Sequence, residues 1–252
     1  MERAITILNL LSSNDRIKVP MLAEMLDISQ VTLRRDLDNL ERRGIIRRTH
    51  GYASLNGADD TCKRLAYNYS VKRRIAKAAV QTIDEGETIM IESGSCCVLL
   101  AEELAHAKKN VTIISNSVII ANCVGKMPGI KVILLGGYYQ PESQVMIGPM
   151  TIQCANYFYS DKFFIGTDGY IPDFGFTGRD HLRVETATDL AKQSNKIFIL
   201  TESAKFQRRG VYNLFQINDL TGVFTDEKIP KEAEDALIKN NVRLHKVPAD
   251  PE

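Results

Sequence analysis

Apolar positions in residues 1–55 recur at helical spacing; from about Val71 onward helical spacing alternates with short solid apolar runs. Ile5, Leu8 and Leu11 predict a first helix. Ile17 and Val19 flank Lys18 like a very short strand, and Pro20 suits the first turn of a second helix with Leu22, Ala23 and Leu26 on one face. Asp27-Ile28-Ser29 reads as a turn, with Ser29 as the N-cap of a third helix. On that helix Leu33, Leu37 and Leu40 are spaced to face inward, which leaves Gln30, Thr32, Arg34 and Arg35 mostly outside. Gly44 stands where a helix stops, Ile45-Ile46 and Arg47-Arg48 look strand-like, and Gly51 can turn the chain back. Helix, short strand, helix, tight turn, helix, hairpin is the order of a winged helix-turn-helix.

Residues 56–70 carry Asn56, Gly57, Asp59 and Asp60, then Lys63 and Arg64, and read as a linker. In residues 71–252, Ile75, Ala79 and Ile83 make a helix face. Strands are expected at Thr88–Glu92, Val111–Ser115, Lys131–Leu135, Lys162–Thr167, Lys196–Thr201 and Gly222–Thr225, with helical patterns between most of them. Alternating strands and helices imply a mostly parallel sheet buried on both faces. The expected fold class is therefore α/β: a winged helix-turn-helix followed by a mostly parallel α/β domain. Ligands of such sheets sit outside the carboxyl ends of the strands.

Composition adds less. The 252 residues are 44% hydrophobic and 25% charged, ordinary for a globular chain. Thirty-two Lys and Arg against 31 Asp and Glu give a net charge of +1, which excludes a highly basic nucleic-acid coat but not a local basic patch. Such a patch exists: Ser29–Arg48 holds six arginines and three acids. The five cysteines, Cys62, Cys96, Cys97, Cys123 and Cys154, show no metal-ligand spacing. They fit a reducing cytosol, with no metal and no cofactor expected. No signal peptide or membrane-length apolar stretch is visible, so a cytoplasmic protein without membrane contact is expected.

The major groove of duplex DNA admits one helix, whose N-terminal residues reach base edges. Arginine can take a guanine bidentately, and wing cations can lie along the phosphates. The candidate DNA-binding set is Ser29, Gln30, Thr32, Arg34, Arg35, Arg47, Arg48 and His50. The plainer reading is a solvated arginine-rich helix in a generic three-helix unit; the full element order favours DNA.

Val31-Thr32-Leu33-Arg34-Arg35-Asp36-Leu37, then Leu40, Gly44 and Arg48-Thr49-His50-Gly51, resemble the DeoR family of bacterial transcriptional regulators. Tyr52 stands where that family's wing has a second glycine. The resemblance covers nearly the whole chain. It implies a C-terminal region folded like sugar-phosphate isomerases that binds a phosphorylated sugar or related metabolite as effector.

Candidate effector residues follow from the strand ends. Ser93-Gly94-Ser95-Cys96 opens a helix and offers backbone N–H groups to a phosphate, or is an ordinary turn. The family pattern has Asp and Thr where this chain has Glu92 and Cys96. Asn116 ends the next strand and either holds sugar hydroxyls or caps a helix. Gly136 and Gly137 permit close approach of a ligand or simply turn the chain. Asp168 resembles an isomerase acid, and Lys205, in Glu202-Ser203-Ala204-Lys205, is a charge partner for a phosphate or a plain surface lysine. Cys96-Cys97 suits buried packing better than redox sensing.

An isomerase carrying a DNA-binding head is the main alternative. Asp168-Gly169 is followed by Tyr170-Ile171-Pro172 with no acid until Asp173, so a paired-carboxylate site is missing at that spacing and no catalytic residue is assigned. A dehydrogenase lacks its glycine fingerprint, and a plain protein-interaction scaffold leaves the arginine helix and wing unexplained. The expected partners are double-stranded operator DNA, the phosphorylated effector and further copies of the chain in a homo-oligomer.

Overall fold

A computed structural model describes residues 2–42, 45–55, 64–107 and 110–249. The expectations at Gly44 and at 56–63, including Cys62, and the side chain of Ile5 lie outside the described residues. Two compact units divide the chain: one is Met1–Ser70 with Pro141–Ser143, the other Val71–Gln140 with Gln144–Glu252.

The first unit is built from α1 (Glu2–Ser12), β1 (Ile17–Lys18), α2 (Val19–Met25), α3 (Gln30–Arg42), β2 (Ile46–Thr49) and β3 (Tyr52–Leu55). The winged helix-turn-helix order is thus present. Val19 opens α2 rather than extending the strand, with Pro20 in its first turn. Leu8, Leu11, Leu22, Leu33, Leu37 and Leu40 are at most 1% exposed and form one core. The three strands lie in the order β1-β3-β2. Thr49 pairs with Tyr52, so the turn between β2 and β3 is only His50-Gly51. Both residues have positive φ, +50° and +81°, the pattern of a type I′ turn, whose twist matches that of the flanking strands.

The second unit begins along α4 (Tyr69–Val80) and is centred on a seven-stranded sheet. Its strands are β4 (Thr88–Ile91), β5 (Val111–Ser115), β6 (Ile130–Leu134), β9 (Lys162–Ile165), β12 (Ile197–Leu200), β14 (Gly222–Asp226) and β15 (Arg243–Val247). All the pairings in it are parallel. Runs such as Phe163-Phe164-Ile165 and Phe198-Ile199-Leu200 are buried on both faces, as strands covered by helices on either side must be. The helices include α5 (Ser95–His106), α6 (Val118–Val124), α7 (Pro149–Ala155), α8 (His181–Ala191) and α9 (Lys231–Lys239).

Strand order is β15-β14-β12-β9-β4-β5-β6. The chain runs from β4 outward through β5 to β6, then returns to the other side of β4 and continues outward from β9. The switch point, where ligands of open α/β sheets bind, lies between the carboxyl ends of β4 and β9. Six strands match the sequence expectation to within about two residues. β15, with Arg243, His245 and Lys246, was not expected. Two smaller antiparallel sheets were also not expected: β7 (Tyr138–Gln140) with β8 (Val145–Ile147), and β10 (Gly169–Ile171), β11 (Gly175–Gly178) and β13 (Tyr212–Phe215). Among the described residues, no helix is long and apolar enough to cross a membrane, and no group of three or more His, Cys, Asp or Glu is placed to hold a metal ion.

Candidate functional site

In the head, the Ser29 hydroxyl accepts the Thr32 N–H at 3.2 Å and so caps α3. With Leu33, Leu37 and Leu40 inward, Gln30, Arg34 and Arg35 are exposed and Thr32 is half-buried, its hydroxyl 2.9 Å from that of Ser29. On the wing, Arg47 and His50 are exposed. Arg48 differs. Its guanidinium reaches Glu41 at 2.6 Å and Asp38 at 2.5 Å, and its N–H donates to Glu41 at 2.8 Å. The pleat explains this: Arg48 shares a strand face with buried Ile46, whereas Arg47 points the other way. Arg48 therefore braces the wing against α3, with its guanidinium paired to two carboxylates.

In the second unit, the switch-point turn is Glu92-Ser93-Gly94. Gly94 is the N-cap of α5 and has no side chain to close the helix end, leaving a first turn suited to an anion. Gly94 also lies against the loop after β9: a β-carbon there would sit 3.2 Å from the Gly166 Cα and N atoms and 3.3 Å from the Cys97 sulfur. Glu92 is buried, receives the Ser93 hydroxyl at 3.2 Å and pairs with Arg183 of α8 at 3.2 Å. Burial works against the Arg183 charge, but Glu92, Asp168 and Asp180 outweigh it and raise its pKa. The Asp168 carboxylate accepts the Arg179 N–H at 3.0 Å.

A second charged group is a buried lysine–glutamate pair. Lys72 of α4 is 2% exposed, and its ammonium is 3.5 Å from the Glu202 carboxylate, itself 3% exposed. Burial pushes the Cys96 thiol up to about 12; Glu202 and Asp226 add to this, and Lys72 and Lys205 oppose it. The same sulfur thus feels both lysines and both acids. Neighbouring cations tie α4 down as well: Arg73 pairs with Glu103, and Arg74 donates to the Pro248 and Ala249 carbonyls at 2.9 and 2.8 Å.

Sequence profiles identify the two units. The DeoR-like helix-turn-helix domain matches residues 3–58, and the DeoR C-terminal sensor domain matches residues 67–227. The chain belongs to the DeoR family. It is a transcriptional regulator with a DNA-binding head and an effector-sensing domain. The HTH-type transcriptional regulator GolR of Listeria innocua is 30% identical over 234 residues, covering 91% of this chain and 92% of that protein. The glycerol-3-phosphate regulon repressor of Escherichia coli is 26% identical over 244 residues, covering 94% and 95%. The L-fucose operon activator of Escherichia coli is 27% identical over 228 residues, covering 88% and 93%. Ribose 5-phosphate isomerase A of Methanocaldococcus jannaschii superposes with a TM-score of 0.40 at 18% identity, over 55% of each chain. GolR, the glycerol-3-phosphate regulon repressor and the L-fucose operon activator are regulators, and this DeoR-family chain is a transcriptional regulator.

Several effector candidates have structural roles in the sensor domain. Asn116 does not cap α6, whose N-cap is Ser117; it is buried, its amide donates to the Met146 carbonyl at 2.9 Å, and its Oδ1 has no hydrogen-bond partner among the described residues. Gly137 makes room for Thr151, whose hydroxyl would lie 1.9 Å from a β-carbon there. The Ser93 hydroxyl is turned onto Glu92, and Cys96 and Cys97 are buried free thiols. Ser95 and Lys205 are half-buried and Gly136 is exposed, near the carboxyl ends of β4, β12 and β6 respectively. Sequence reasoning missed Arg183, Glu202, Asp226 and above all Lys72 as site residues. The signal for Lys72 was available: it falls on the apolar stripe of Ile75, Ala76 and Ala79, where a lysine is buried only if it is paired.

The wing arginines should separate cleanly. Arg48→Met should cost the head roughly 1 kcal/mol, since the pair is part-exposed, and leave the salt dependence of DNA binding unchanged. Arg47→Gln should leave stability unchanged and lower the slope of log affinity against log salt by about 0.9. Arg48's hydrogen bonds hold the Glu41 carboxyl below its usual value. The stabilisation is therefore full above the ordinary carboxylate pKa and is lost as pH falls through the lowered one. Acid denaturation curves of the native chain and Arg48→Met should converge at low pH.

Proposed function

We propose that the chain is a cytoplasmic repressor of a carbohydrate-metabolism operon, released from its operator by a phosphorylated sugar or related metabolite. The observation that carries this reading is the α5 terminus, capped only by Gly94 at the switch point, with Lys72 and Lys205 close enough to act on its first-turn cysteine. A phosphate there gains the helix dipole, backbone N–H groups and two ammonium groups. The relatives named for a glycerol-3-phosphate regulon and a fucose operon support this class of metabolite. A homo-oligomer carrying two heads suits a repeated or palindromic site. Ser29, Gln30, Thr32, Arg34, Arg35, Arg47 and His50 form the DNA-facing set, and Ser95, Gly94 and Lys205 the core of the effector set.

Lys72 supplies the coupling. An anion at the α5 terminus competes with Glu202 for its ammonium, and Lys72 lies on the helix that follows the linker to the head. Ligand binding then differs in free energy between two positions of that helix, as any effector action requires.

Three outcomes are expected. Arg34→Ala and Arg35→Ala should each lower operator affinity by about 1–3 kcal/mol; unchanged binding in both would reject α3 as the recognition helix. Calorimetry across phosphorylated metabolites and their free sugars should show binding only with the phosphate, and Ser95→Ala and Lys205→Ala should weaken it. Intact affinity in both variants would reject the phosphate site. Lys72→Met alone should destabilise the sensor domain by about 3–5 kcal/mol, whereas Lys72→Met with Glu202→Met should fold. In the double variant, an effector that still binds should no longer change DNA affinity. Retained release of DNA would rule out the relay.

A further inference from the structure

Among the described residues, several cations of the head differ in whether a carboxylate pairs with them. Arg3 pairs with Asp36, and Arg48 with Glu41 and Asp38. Among the described residues, no carboxylate pairs with Arg16, Lys18, Arg34, Arg35 or Arg47. Arg34 and Arg35 belong to α3 and Arg47 to the wing. Arg16 and Lys18 lie outside both, yet both stand over one aromatic ring. The Arg16 guanidinium carbon is 4.7 Å from the Tyr52 ring centroid, and the Lys18 ammonium is 5.8 Å from it.

Strand pairing says which way they face. Lys18 is opposite Tyr52, and Arg47 is opposite Ser54. Ile17, Ile46, Ala53 and Leu55 are buried on the inner face of this small sheet, so Lys18, Tyr52, Ser54 and Arg47 share the outer one. The Val19 N–H also donates to the Gly51 carbonyl at 2.9 Å, which ties the start of α2 to the wing turn. Two like charges on one ring repel. The ring's negative face offsets that repulsion without consuming their N–H donors, as a carboxylate would. A guanidinium oriented this way keeps its fork free for a phosphate.

We infer that Arg16 and Lys18, held over Tyr52 on the outer face of the wing sheet, form a second phosphate-binding patch for duplex DNA. The patch rests on the reading of the head as the DNA-binding unit. It adds sequence-independent affinity and register, while base reading stays with α3. Tyr52 acts as a positioning residue: it touches the cations, and they touch the backbone.

The test is fluorescence anisotropy of the full chain with a mixed-sequence DNA duplex over a series of KCl concentrations, with thermal midpoints as a folding control. Arg16→Gln with Lys18→Gln should lower the slope of log affinity against log salt by about 1.8, at about 0.9 per phosphate. Tyr52→Phe should bind like the native chain. Tyr52→Leu should weaken binding severalfold with nearly the native slope, because both charges remain. Lys18→Glu, also at an exposed position, should weaken binding beyond Lys18→Gln. A native slope and affinity in the double variant would overturn the patch. If Arg34→Ala and Arg35→Ala still abolish operator preference in that case, the patch alone falls; if they too bind like the native chain, the recognition-helix reading falls with it.

Discussion

A lysine and a glutamate buried together at the carboxyl edge of the sheet set the terms for the rest of the sensor domain. Withdrawing either charge from water is expensive, and the mutual attraction of Lys72 and Glu202 repays it only while the two stay close. The pair is stretched, at 3.5 Å, and stands among Lys205, Asp226 and the Cys96 sulfur. Any movement of α4 relative to β12 exposes this balance, and any new anion at the edge alters it. Arg73 and Arg74 of the same helix have partners of their own, Glu103 and the Pro248 and Ala249 carbonyls. α4 is thus held by contacts whose strength depends on the local electrostatics of the sheet edge.

The other side of the switch point follows a complementary logic. Three carboxylates, Glu92, Asp168 and Asp180, act on one guanidinium, Arg183. Gly94 and Gly166 let two loops approach more closely than β-carbons would permit. The acids are committed to holding Arg183 and the Arg179 backbone in place, which suits a binding edge better than proton transfer. Asp173, the next acid along the chain, lies on an exposed turn between β10 and β11.

Much of this was legible in residue order. The head declared itself through Ser29, the leucine stripe and Gly51, each a local signal. The parallel strands showed as solid apolar runs. What escaped notice was short or charged. Three-residue strands such as β7, β8 and β10 have too little length for a period to register, and β15 carries its charges because an edge strand benefits from them. The site was harder. Asn116 and Ser93 stand out in sequence only as strand-end residues, and the coordinates add that the Asn116 amide meets Met146 and the Ser93 hydroxyl meets Glu92. Arg48 and Arg47 are adjacent and chemically identical, so the alternation of the strand, not the residue type, assigns their roles.

That alternation has a consequence for how this wing can vary. The His50-Gly51 turn fixes the pairing of β2 with β3 at the smallest possible count. Adding one residue would slip the register and reverse every side chain that follows it on β3, carrying Tyr52 inward and Ala53 outward. The exposed wing side chains can therefore change without disturbing this register, but the parity of the hairpin cannot.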